Sequence, residues 1–385
     1  MKLAIQLAYK NLMGAGLRTW LNAGVLSFTF VVIIFYNGLI DGWNEQASVD
    51  GVNWEYANGH LLHKDYDKYD PFSIDDGHGI LPKIKRKNLT PILIRQATIY
   101  PQGRMMNIQL KGIDENQTVV KLPTKLLLSS KAEIPAIIGK RMAKSANLKV
   151  GDEVLIRWRD KNGTYDATNI TIAGVFDTNV PTVDAGQVWI SIEKLWKMTG
   201  LEKHATMFLA NKDYSHKEIS GWKFESKESL LQELTNIISM KKVSGSIVYL
   251  LLMAISLLAI FDTQVLSVFR RQKEIGTYIA LGMTRFQVVK IFTAEGAMYS
   301  IFATILGMIY GIPLLWYLAE YGIAYSISGD TMGVIIADRL YPVYGIGLVI
   351  VTVILVTISA TIVSFLPARK ISKMDPVEAL KGKIQ

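Results

Sequence analysis

Four long apolar stretches constrain this chain more than any other feature. A helix rises about 1.5 Å per residue, so about 20 apolar residues cross a hydrocarbon core. Trp20–Ile40, Ser246–Phe269, Phe292–Leu318 and Val343–Leu366 all reach that length. A helix of a soluble core rarely stays apolar on every face for so long. The sequence therefore predicts a membrane α-helical protein with four transmembrane helices. A large extracytoplasmic α+β domain, residues 41–245, lies between the first two. Lys2 and Lys10 precede the first apolar run, as in a signal peptide. Arg18 comes late, however, the run is long and no small-x-small cleavage site closes it, so it reads as a retained anchor.

The flanking charges orient the bundle. Lys2, Lys10 and Arg18 precede the first span with no acid among them. Arg270, Arg271, Lys273, Arg285 and Lys290 stand against Glu274 between the second and third spans. Arg369, Lys370, Lys373, Lys381 and Lys383 follow the fourth, against Asp375 and Glu378. The loop 319–342 reverses the bias, with Glu320, Asp330 and Asp338 facing Arg339. Basic loops stay in the cytoplasm. Both termini (1–19 and 367–385) and the loop 270–291 are thus expected inside, and residues 41–245 in the periplasm. The net charge of +9 gathers largely beside the apolar stretches, where it sets orientation and meets membrane lipids; nucleic acid is not an expected partner. The chain has no cysteine, which removes disulfides, thiolate metal sites and cysteine nucleophiles.

Within 41–245, Leu61–Tyr66, Ile92–Tyr100, Met106–Ile113, Glu153–Trp158 and Asn169–Phe176 read as strands from alternation and β-branched content. Ile138–Leu148 reads as a helix closed by a turn at Gly151, and Ser191–Met198 as a helix ended by Gly200. Lys227–Lys242 reads as an amphipathic stalk helix running into the second span, so motion of one part would carry the other. Two subdomains are expected. His60-x-x-His63, with Asp65, Asp67 and Asp70 after it, invites a metal reading. On a strand the two rings point to opposite faces and no tetrahedral shell assembles, so a solvated strand end is expected and no metal. The run Lys83, Lys85, Arg86, Lys87 is expected to be a solvated loop. No hydrolase motif is present, and no G-x-x-x-x-G-K-[ST] phosphate loop.

The stretch Arg270–Gly296, RRQKEIGTYIALGMTRFQVVKIFTAEG, suggests a short helix along the membrane face, a turn near Gly282 and the start of the third span. A basic amphipathic loop at the headgroups accounts for it, as does a docking element for a cytoplasmic partner. In the tail PARKISKMDPVEAL, Asp375-Pro376-Val377-Glu378 forms a capping box with proline at the first helical position. Asp262 lies inside the second span, where helix–helix hydrogen bonding is the favoured reading, and Glu295 sits near the cytoplasmic end of the third. Gly307 and Gly311 form a G-x-x-x-G.

These stretches resemble the FtsX-like permease superfamily, which includes MacB-type exporters and LolC/LolE-type lipoprotein-releasing permeases. The likeness lies in Arg270–Gly296, in the tail with Pro367, Arg369, Asp375, Pro376 and Glu378, in the opening Leu7–Trp20, and in IGKRMAKSANLKVGDEV at 138–154. It implies the membrane subunit of a mechanotransmission ABC transporter. Such a subunit pairs with a second permease chain and docks a cytoplasmic ABC ATPase; ATP and Mg bind there, with no cofactor on this chain. By the same likeness the coupling helix carries Arg270, Arg271, Lys273, Glu274, Ile275, Gly276, Ala280, Leu281, Gly282 and Arg285. The implied task is release of a lipoprotein or other amphipathic substrate from the outer leaflet of the cytoplasmic membrane. Peptide or drug export, and signalling or control of wall hydrolases, are the alternatives.

Overall fold

A computed structural model describes residues 9–12, 14, 16–324, 335–337 and 339–373; the side chains of Arg18, Lys83, Ser372 and Lys373 are outside the description. Contacts divide the chain into two compact units, one within Met1–Trp43, Ile238–Ile323 and Arg339–Gln385, the other within Asn44–Ile237 and Ala324–Asp338. Four described helices are long and apolar enough to cross a membrane: Thr19–Tyr56, Lys227–Arg270, Arg285–Tyr321 and Ile346–Ile371.

The helical unit is built from α1 (Leu17–Gly51), α2 (Lys227–Arg270), α3 (Gln272–Ala280), α4 (Arg285–Tyr321) and α5 (Ile346–Ala368). The stalk expected at Lys227–Lys242 and the second span are one unbroken 44-residue helix. Leu26, Phe30, Val31, Ile34, Ile260, Tyr299, Ala303, Val356 and Ala360 pack a common core. Small residues set the closest approaches. A Cβ on Gly311 would stand 2.8 Å from Val31 Cγ2, and one on Gly307 3.1 Å from Phe30, so the G-x-x-x-G is where α4 meets α1. Polar pairs cross between helices as well: Asn22 Nδ2 donates to Thr263 Oγ1 at 2.6 Å, and the Thr29 and Ser256 hydroxyls lie 2.7 Å apart.

The α+β unit holds one nine-stranded sheet. Its strands in chain order are β1 (Gly59–His63), β2 (Leu89–Ile99), β3 (Met106–Ile113), β4 (Pro135–Gly139), β5 (Glu153–Arg159), β6 (Tyr165–Phe176), β7 (Gln187–Ser191), β8 (Met207–Ala210) and β9 (Trp222–Ser226). The spatial order is β9-β1-β8-β2-β3-β7-β4-β6-β5, and β5 also pairs with β2 through Ala97↔Trp158 and Ile99↔Ile156. Six strands thereby close on themselves. The long strand β2 serves both parts, pairing with β8 at Leu89–Ile92 and with β5 at Ala97–Ile99. The alternation EVLIRWR in β5 turns Val154, Ile156 and Trp158 inward, where they join Leu93, Ile99, Leu110, Ile138, Ile172 and Ile190. A smaller cluster of Leu61, Leu81, Phe208 and Ala210 lies elsewhere in this unit. The nine-stranded sheet runs continuously through both clusters.

The helix expected over Ile138–Leu148 begins later. Pro135–Gly139 is strand β4, buried at every position, and the helix runs Lys140–Ala146. An apolar run buried on both faces has no period that separates strand from helix. The helix closes at Asn147, which sits in the left-handed region at φ 52°, four residues before Gly151. Asp184, fully buried, accepts from the Arg141 backbone N–H at 2.9 Å and from Arg141 Nη1 at 2.9 Å, pinning that helix start. A Cβ on Gly139 would run into the same carboxylate, which explains a glycine there. His60 is buried and its Nε2–H donates to Glu55 O at 2.9 Å, while His63 is half-buried beside Trp222. In the basic run, Arg86 is tied to the carbonyls of Leu81 and Lys203, whereas Lys85 and Lys87 are exposed.

Candidate functional site: the helix–turn joining the second and third spans

Arg270–Gly296 folds as the end of α2, the short α3, a turn and the start of α4. Thr284 caps α4 in a capping box with Gln287, and Gly282 turns the chain at φ +96°. One face of α3 is held down: Gln272, Ile275 and Gly276 are buried. Ile275 packs with Val268, Val288, Val289, Phe292, Ala368 and Ile371.

A polar knot locks this packing. Arg271 Nε and Nη2 grip the two Glu274 oxygens at 2.6 and 2.7 Å, and Nη1 reaches Glu295 Oε2 at 2.8 Å. The guanidinium lies over the Phe292 ring, 4.6 Å from its centroid. Tyr278 donates to Glu274 Oε1 at 2.6 Å, and Asn11 Nδ2 reaches Glu295 at 3.5 Å. The Arg271 fork holds the Glu274 carboxyl below the usual carboxylate range, so it stays ionised.

The other face is open. Lys273, Ala280, Gly282 and Arg285 are exposed, and Leu281 is 79% exposed. Phe286, 61% exposed, carries Lys290 Nζ 4.6 Å from its ring centroid. The turn therefore presents two bare apolar side chains among cations. The residues expected on the coupling helix divide into two sets. Arg271, Glu274, Ile275 and Gly276 anchor it, while Arg270, Lys273, Ala280, Leu281, Gly282 and Arg285 lie at its surface, Arg270 being exposed at the end of α2.

The sequence reading missed Phe286 and Asn11. An aromatic residue four before a lysine, in a polar first turn, is the signal that marks Phe286. Glu295, expected near the cytoplasmic end of the third span, pairs with Arg271. Asp262 is exposed on α2, and its neighbour Thr263 accepts a hydrogen bond from Asn22 of α1. Pro367 is buried and Arg369 exposed; Asp375, Pro376 and Glu378 lie outside the described residues.

The family model described as FtsX-like permease C-terminal matches residues 246–376, which hold α3 and most of the helical unit. This chain carries an FtsX-like permease domain. The permease is 23% identical over 305 residues to the lipoprotein-releasing system transmembrane protein LolC of Xylella fastidiosa, covering 71% of this chain and 72% of that protein. It is 30% identical over 123 residues to the macrolide export ATP-binding/permease protein MacB of Vibrio parahaemolyticus, covering 32% of this chain and 16% of that one. The extracellular domain of the ABC-type transporter YknZ from Gram-positive bacteria matches 40% of this chain and 83% of its own at 14% identity, with a TM-score of 0.24. The permease is of the FtsX/LolC ABC transporter type.

Proposed function

We propose that this permease releases lipoproteins from the outer leaflet of the cytoplasmic membrane, driven by a separate ABC ATPase. The observation that carries this reading is the likeness to LolC, which runs through most of both chains rather than through the membrane part alone. Termini inside and residues 41–245 in the periplasm follow from the basic loops. ATP and Mg are placed on the partner, since this chain has no phosphate loop.

In this reading, α3 is the coupling helix. Its exposed Leu281 and Phe286 enter a groove of the ATPase, and Lys273, Arg285 and Lys290 meet an acidic rim. The Arg271 knot and the Ile275 packing make α3 move as one body with the starts of the spans, so a push at the turn reaches α2 and α4. The 44-residue α2 then carries that movement out of the bilayer.

The test is purification of the tagged chain in mild detergent, with its companions identified by mass spectrometry. An ATPase with a second FtsX-like permease or with lipoproteins is the expected result. An ATPase with a periplasmic adaptor and an outer-membrane channel would place the chain with the exporters. Failure to recover any ATPase after mild crosslinking would overturn the transporter reading.

A further inference from the structure

The outward face of the sheet in the α+β unit carries a polar floor that the permease reading does not use. Strands β2, β3 and β7 are neighbours, and their register sets Gln96 opposite Gln109 and Gln109 opposite Gln187. In the next row, Thr98 stands opposite Asn107 on one side and Arg157 of β5 on the other. Directly paired residues share a face, so a row of three carboxamides lies beside a row of guanidinium, hydroxyl and amide. This floor lies in a cleft of about 700 Å³ bordered by Phe72, Met105 and Tyr165. Those three side chains are exposed, Phe72 by 85%.

Much of the floor's hydrogen-bonding capacity is unused. Gln109 has no side-chain hydrogen bond among the described residues. Gln187, 8% exposed, holds its Oε1 buried without a partner. Both also border the neighbouring cleft at Lys111. Gln96 Nε2 donates to Pro71 O at 2.8 Å, and its Oε1 has no donor among the described residues. An amide oxygen left without a donor costs stability that a donor from the cleft restores. Three charged groups line the same cleft: Asp75, Arg157 and Arg159. Asp75 is engaged by Arg95 at 3.0 Å and by Arg159 at 3.3 Å. The excess positive charge therefore falls on Arg157, which has no ion pair among the described residues and lies 4.9 Å from the Tyr165 ring centroid.

These features select a class of ligand. The three strands under the carboxamides are interior to the sheet, so a peptide finds no open edge on which to add a strand. A carboxamide donates and accepts in one plane, as a sugar hydroxyl also does, whereas a row of pure donors would suit an anion alone. The bare Phe72 ring offers an apolar surface to the C–H face of a sugar ring. Arg157 adds a charge-assisted contact to a carboxylate. From β5 to β7 is three interstrand steps, about 14 Å, a distance that a trisaccharide spans. We infer that this cleft binds an acidic oligosaccharide, its hydroxyls on Gln96, Gln109 and Gln187 and a carboxylate on Arg157. The site stands independently of what the permease transports.

The test is calorimetric titration of the full chain in lipid nanodiscs with β-linked trimannuronate and α-linked trigalacturonate. At least one is expected to bind with a Kd of about 1 mM or tighter, and its neutral counterpart, mannotriose or galactotriose, about tenfold more weakly or worse. Glutarate, which has the charge without the sugar, is expected not to bind. Arg157→Gln is expected to bring the acidic sugar down to the level of the neutral one, and Gln109→Ala to weaken both. Arg157 is exposed and Gln109 half-buried on the outer face, and the thermal midpoint of each variant records that it is folded. No binding of either acidic sugar up to about 10 mM, equal binding by the neutral sugars, or binding by glutarate as tight as theirs would overturn the inference. So would an undiminished preference for the acidic sugar in folded Arg157→Gln.

Discussion

Arg271 Nη1 stands 2.8 Å from Glu295 Oε2, so the residue that opens α3 is ion-paired to a carboxylate inside α4. The Glu295 side chain is only 7% exposed, and the same guanidinium also grips Glu274. Removing the arginine strands a buried charge. Arg271→Met is expected to destabilise the helical unit by about 3 kcal/mol or more, read as a lower thermal midpoint in detergent. Arg271→Lys, which keeps the charge and loses the fork, falls between. An unchanged midpoint in Arg271→Met would show that the knot contributes nothing.

Leu281 and Phe286 are exposed beyond the needs of folding. Leu281→Glu with Phe286→Ala is expected to leave the midpoint within about 0.5 kcal/mol of the parent. Recovery of the ATPase in a pull-down should fall about tenfold or more, as for loss of an apolar anchor. Full recovery of the ATPase with this pair would move the docking surface elsewhere.

Gly296 lies where α4 meets α5, and a Cβ there would collide with the Ser364 side chain. Gly296→Ala is expected to cost about 1–3 kcal/mol by overpacking. Ser364→Gly should restore part of that loss, measurable as a double-mutant cycle on the thermal midpoint. Independent, additive effects would mean that the two helices part at little cost.

His78 and His204 hold their Nδ1 atoms 2.9 Å apart, so one ring donates and the other accepts, and the accepting ring is neutral. Burial, with Arg95, His204 and His63 nearby, pushes His78 down to about 4, and burial lowers His204 too. Asp75 and Lys161 also face the pair. Below pH ~6.5 the unfolded rings take up protons that the folded rings refuse, so stability falls with pH. The loss is expected between pH ~6.5 and about 4, with none above that window. Urea unfolding of the α+β unit, followed by Trp fluorescence of the full chain, checks it. His78→Asn should flatten the slope, and an equal slope in the variant would assign the pH dependence to other groups.

Much of this protein follows from local pattern. The four apolar stretches need no partner to be recognised, because a bilayer imposes one length and one polarity on every helix that crosses it. Strand β5 was equally legible, since its outer face meets water and the alternation Val154, Ile156, Trp158 survives in the residues. Gly282 and the Thr284 cap mark their turn for the same reason: the demands on the backbone are met within a few residues.

What only the tertiary structure decided lies where distant segments meet. Strands β4 and β7 are buried on both faces and so carry no period, and it is their mutual pairing, Ile137 against Trp189, that makes them strands. That Thr263 meets Asn22 depends on how α2 turns toward α1, which no local rule fixes. Lys111 looks like an ordinary strand lysine until Tyr56, Tyr66 and Trp189 are brought around it from three other parts of the chain. Sequence alone determines what each segment needs from its surroundings. The fold determines which surroundings it receives, because a buried charge or hydroxyl is defined by partners far away along the chain.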